Sequence, residues 1–170
     1  MAKDEKERNV ITKDMVPEGF TVPMALVDAI PVLFFAVNII VLGIKAGFSW
    51  LIMLGGLLCF LGGGIKVLWK IIVAVKHKNI WWMFVQMRYT MVIGFILIIL
   101  GCIIDRHGLA AAFSGIGAGS IVFFVLWFLG MCLMGVFAAK LDNADPKANW
   151  IEQGTNGISQ VCLLIALLLL

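Results

Sequence analysis

Charge is scarce in this sequence. Asp, Glu, Lys and Arg make up 14% of its 170 residues, where a water-soluble domain carries about a quarter. With 62% hydrophobic residues and a mean hydropathy of +1.07, the chain has too little polar surface to cover a soluble fold. Its four cysteines, Cys59, Cys102, Cys132 and Cys162, all fall within apolar stretches and form no C-x-x-C pair. That excludes a disulfide framework and a thiolate metal site, and leaves them as small packing residues. Histidine occurs twice, and the topology derived below puts His77 and His107 on opposite sides of a membrane, which excludes a haem or metal held by both. G-x-S-x-G, H-E-x-x-H and a phosphate-cradling glycine loop followed by Lys are also missing, so neither an enzyme nor a cofactor is indicated. Asp142 and Asp145 flank one loop but lack a second acidic motif, and Asp145 before Pro146 reads as a helix cap.

What the chain has is long apolar runs, at residues 24–44, 49–72, 80–104, 120–140 and 151–170. In a bilayer every backbone polar group must be satisfied within its own segment, so these runs predict an all-α, polytopic membrane bundle of five transmembrane helices. Residues 1–22 read as a polar, solvated tail and 23–170 as the five-helix domain. Pro146 marks the start of the last helix, and the Ala- and Gly-rich, nearly uncharged segment from Gly108 to Ser120 predicts a short surface helix.

Cations set the orientation, because Lys and Arg in short loops stay on the cytoplasmic face. Lys3, Lys6, Arg8, Lys13, Lys66, Lys70, Lys76, Lys78, Lys140 and Lys147 fall on one side, Lys45 and Arg106 on the other, and Arg88 within a span. This places the N-terminus in the cytoplasm and the C-terminus outside, in a cytoplasmic (plasma) membrane. Because the basic residues flank apolar runs and form no stripe on a soluble face, anionic lipid headgroups are their expected counter-charge and nucleic acid is excluded. The lower end of the second helix, with Lys66 and Lys70, is expected to run along those headgroups.

Polar residues at membrane depth carry the functional expectation. Asp28 and Asn38 lie in the first helix, on either side of Pro31, which kinks it. In the third, Gln86, Tyr89 and Thr90 share one face, and Arg88 projects from another, with Asp28 or Glu152 as its expected partner. In the fifth, Glu152, Asn156 and Gln160 descend one face at i, i+4, i+8 spacing. Together Asp28, Asn38, Gln86, Arg88, Tyr89, Glu152, Asn156 and Gln160 are the candidate ligand-binding residues of a pocket open to the cytoplasm. The competing reading is capping or an interfacial position for Asp28, snorkelling to the headgroups for Arg88, and for the stripe of Glu152, Asn156 and Gln160 interhelical hydrogen bonding that fixes the bundle. Glycines at 55, 56, 62, 63 and 64 of the second helix serve either internal packing or a homo-oligomer interface. The expected function is binding or transport of a small polar or charged solute, with or without proton coupling. The alternative is a non-catalytic membrane subunit or assembly factor of a larger complex.

Overall fold

The computed structural model describes residues 11–141 and 145–170, and these are helical with no strand among them. Six helices follow in order: α1 (Val22–Lys45), α2 (Trp50–Lys76), α3 (Trp81–Ile104), α4 (Arg106–Phe113), α5 (Ala118–Lys140) and α6 (Pro146–Leu168). Of these, α1, α2, α3 and α5 are long and apolar enough to cross a membrane. In α6 the first half carries Lys147, Asn149, Glu152, Gln153 and Asn156, and the apolar run follows only after Gln160.

The helix ends are fixed by local chemistry. At the start of α1 the Thr21 hydroxyl accepts from the Met24 N–H, with Pro23 in the first turn where its missing N–H leaves no bond unmade. Between α1 and α2 the chain turns sharply at Gly47 (φ +80°) and Phe48 (φ +69°), after which the Ser49 hydroxyl caps α2 at the Ile52 N–H. The Asp145 carboxylate caps α6 by accepting from the Lys147 N–H at 2.9 Å, and Pro146 opens that helix. The surface helix expected over 108–120 is shorter and earlier, at Arg106–Phe113, because Gly115 and Gly117 break the pattern.

The exposed side chains of α1 show which solvent the fold faces. Leu26, Ile30, Leu33, Val37, Ile40 and Ile44 form a stripe at helical spacing that lies on the outside, while Asp28 and Asn38 are buried. An inside-out helix of this kind is unstable in water and natural in lipid. The protein is therefore a membrane protein.

Around the bundle the long helices stand in the order α3, α2, α1, α6, α5, each packed on the next, and α4 touches α1 and α3. α1 and α6 run parallel, with Gly19 against Pro146 at one end and Asn38 bonded to Gln160 further along. Among the described residues the backbones of α3 and α5 stay more than 8 Å apart, and α5 meets α4 through the stacked rings of Phe113 and Phe124 at 5.6 Å. Glycines bring α2 against both its neighbours, where Gly55 meets Gly94 and Gly62 meets Thr90 of α3, while Gly56 meets Ile39 and Gly63 meets Val32 of α1. The α2 glycines are thus used in internal packing, and Gly64 alone of the set has open space beside it.

Residues 11–20, expected to be the last part of a solvated tail, instead fold over the end of the bundle where α1 begins. Ile11 and Phe20 are buried with Met24, Trp69, Val73 and Met83. The Asn79 amide holds the segment by donating to the carbonyls of Thr12, Lys13 and Met15, while its oxygen accepts from the Trp69 indole N–H at 3.0 Å. Residues 1–10 of that tail lie outside the described residues.

Candidate functional site

Asp28 is six residues into α1, Lys70 six residues before the end of α2 and Glu152 six residues into α6, so all three lie about 9 Å inside the same end of the bundle. Lys70 is 2% exposed and Asp28 4%, and the ammonium is 2.7 Å from Asp28 Oδ2. Lys70 Nζ also donates to Asn149 Oδ1 at 3.1 Å and lies 5.8 Å over the Phe20 ring, beneath the folded-over N-terminal segment. The expectation that Lys70 runs along lipid headgroups is thus overturned. The carboxylate of Asp28 at equal depth gives the ammonium a partner that snorkelling would forfeit.

Arg88, the cation expected to pair with Asp28 or Glu152, is exposed and makes no ion pair among the described residues. Tyr89 is likewise exposed, at 65%. The polar stripe of α3 that does face inward is Gln86 and Thr90, with Gln86 Nε2 donating to the Gly62 carbonyl at 3.0 Å.

Further from that end, Asn38 Nδ2 donates to both the backbone carbonyl and Oε1 of Gln160, at 2.9 and 3.0 Å, tying α1 to α6. Ser120 Oγ donates to the Ala166 carbonyl at 2.8 Å and ties α5 to α6. In hydrocarbon such bonds hold helices together at about 0.6 kcal/mol each. Gln86, Asn38 and Gln160 are therefore engaged with neighbouring helices.

Asp28 and Glu152 differ from them. Glu152 is 9% exposed, yet its carboxylate makes no hydrogen bond or ion pair among the described residues, and Oε1 is fully enclosed. Asp28 Oδ1, the oxygen not paired with Lys70, is also buried without a donor. Both residues line a cavity of about 300 Å³ whose other polar walls are Lys66, Gln153 and Asn156. A second cavity of about 260 Å³ shares Pro31, Val32, Met91 and Asn156 with the first and continues away from Asp28 past Phe35, Phe95, Met131 and Trp127. Trp127 Nε1 is a third buried polar atom without a partner, and Asn38 Oδ1 a fourth. A buried acceptor or donor left unmade costs about 1 to 3 kcal/mol, more for a charged group.

The arrangement offers acceptors of negative charge, Asp28 Oδ1 and the Glu152 carboxylate, beside one cation, Lys66, at the mouth of an apolar chamber. It suits a ligand that brings N–H or O–H donors. No cluster of His, Cys, Asp and Glu with metal-ligand geometry occurs among the described residues.

Sequence reasoning missed Lys70, Asn149, Lys66 and Trp127. For Lys70 a signal existed, since it stands at the depth of Asp28 when residues are counted from each helix end. For Trp127 there was one too, since it is the one aromatic residue of α5 with an N–H and it stands mid-helix, away from the interfaces where tryptophan usually lies. No protein-family model, curated protein or solved structure matches the chain.

Proposed function

We propose that the protein is a five-span membrane protein, N-terminus in the cytoplasm and C-terminus outside, that binds a small solute carrying hydrogen-bond donors in the chamber between Asp28 and Glu152. The observation that carries the reading is that two buried acidic residues on different helices, Asp28 and Glu152, line one cavity and each has a carboxylate oxygen lacking a donor. A primary ammonium group fits best, because it presents three N–H donors and a positive charge to two acceptors. α6 is the fifth span in this reading, and its polar half stands against the chamber and so escapes lipid. The cytoplasmic side is then the end that holds Asp28, which carries most of the Lys and Arg residues. In a plasma membrane, uptake or release of the solute is the transport form of the same function.

The second reading, a subunit that only packs against partners, draws support from Asn38, Gln86 and Gln160, whose bonds already hold helices together. It leaves Glu152 without a role.

The test is thermal unfolding of the full chain in detergent with ethanolamine and, separately, choline, which has the charge but no N–H. Ethanolamine should raise the unfolding temperature in proportion to about 2.7 kcal/mol at a hundredfold excess over its dissociation constant. Choline should do markedly less, and Glu152→Gln should remove the ethanolamine effect without lowering the temperature of the ligand-free protein. Equal stabilisation by both compounds, or by both proteins, contradicts the reading.

A further inference from the structure

The walls of the two cavities come from α1, α2 and α6 on one side and from Met87, Met91 and Phe95 of α3 and Trp127, Met131 and Met134 of α5 on the other, where the backbones of α3 and α5 stay more than 8 Å apart. α5 buries none of its apolar stretch within the protein and α3 little of it, so the gap between them faces the bilayer. A solute arriving only from water has no use for the inner cavity, whose walls are mostly apolar, with Phe35, Met91, Phe95, Met131 and Leu163 among them.

We infer that the natural ligand is an amphiphile taken from the bilayer through the gap between α3 and α5, with an ammonium-bearing zwitterionic head in the Asp28, Lys66 and Glu152 chamber and one apolar chain in the inner cavity. This rests on the proposed binding function and extends it to the ligand's other end. The ammonium donates to Asp28 Oδ1 and to Glu152, whose buried oxygens lack donors. Lys66, half-buried on the same wall with no ion pair among the described residues, takes the head's anion. Trp127 is 13 residues from Lys140 and Glu152 is six from Pro146, so the indole lies roughly 10 Å deeper, counted as seven residues at 1.5 Å each. That is the position of an ester carbonyl below a short zwitterionic head, and the free Trp127 N–H supplies its donor. Methionine walls adapt to a chain of variable shape. A helix from another protein fits the gap less well, because its apolar side chains would leave Asp28, Glu152 and Trp127 without partners.

The experiment titrates the full chain in detergent with three probes: lysophosphatidylethanolamine, lysophosphatidylcholine, which has the same tail but no N–H, and phosphoethanolamine, which has the head but no tail. Lysophosphatidylethanolamine should bind at least tenfold tighter than either of the others. Trp127→Phe, which keeps the ring and loses the donor, and Met131→Trp, which fills the inner cavity, should each weaken it several-fold and leave phosphoethanolamine binding unchanged. If phosphoethanolamine binds as tightly as the lysolipid and both variants are inert, entry from the bilayer is overturned while the polar chamber stands. If lysophosphatidylcholine matches lysophosphatidylethanolamine, ammonium recognition is overturned. Binding of none of the probes, and none of ethanolamine, overturns both readings.

Discussion

At the scale of single residues, the Asp28 and Lys70 pair separates what holds the protein together from what remains available to a ligand. One carboxylate oxygen of Asp28 is spent on Lys70, and Lys70 in turn is shared with Asn149 of α6, so α1, α2 and α6 meet through a single ammonium. Lys70→Met leaves Asp28 charged, buried and unaccompanied, and should destabilise the protein by about 3 to 5 kcal/mol. Replacing both, with Asp28→Leu added, should recover most of that loss, as read from denaturant unfolding of the purified variants. Glu152 has no partner to lose, so Glu152→Gln should cost almost nothing in stability and fall wholly on binding. The sequence exposed Asp28 and Glu152 through the cost of a carboxylate in hydrocarbon. It misassigned the cation because Arg88 and Lys70 have the same sign, and only the packing of α2 on α1 decides which reaches Asp28. Snorkelling and burial predict opposite positions for a lysine near a helix end, and composition does not choose between them.

At the scale of helices, the glycine surface of α2 explains how five long segments pack so closely. A Cβ at Gly55 would lie almost on the Gly94 carbonyl oxygen of α3, where the obstacle is backbone and has nowhere to move. Gly55→Ala should therefore destabilise by about 1 to 3 kcal/mol. Gly64, with open space beside it, should accept alanine with a gain of about 0.5 to 1 kcal/mol from its higher helix propensity. Thermal unfolding of the two variants side by side checks the contrast, and equal effects would contradict the packing. The same scale holds the N-terminal strap, whose three carbonyls depend on the one amide of Asn79. Asn79→Ala should speed trypsin cleavage after Lys13, followed by the appearance of the shortened chain on a gel. Helix positions were legible in the sequence to within a few residues, since apolar length and the Asp145 cap before Pro146 mark them. The strap was not, because a single asparagine accepting from Trp69 and donating to three carbonyls leaves no periodic trace.

At the scale of the whole molecule, the separation of the α3 and α5 backbones is the feature on which the proposed entry of a ligand from the bilayer rests. Side chains of both helices line the chamber and the inner cavity across that separation. No sequence pattern shows that gap, because lipid-facing and cleft-facing residues of α3 and α5 are equally apolar. The membrane orientation proposed from the cations makes a separate prediction. In a variant without the four native cysteines, a cysteine at His107 should react with an impermeant thiol reagent added to intact cells, and one at His77 should react only after permeabilisation. The reverse pattern would put the Asp28 chamber on the outer side and require a different source for its ligand.

The most direct measurement of the central claim is native mass spectrometry of the intact protein, wild type against Glu152→Gln, with ethanolamine or lysophosphatidylethanolamine added. The account predicts a one-to-one ligand adduct on the wild type that is lost from Glu152→Gln while both proteins keep the same folded charge-state distribution. An adduct of equal abundance on both proteins, or on neither, would contradict it.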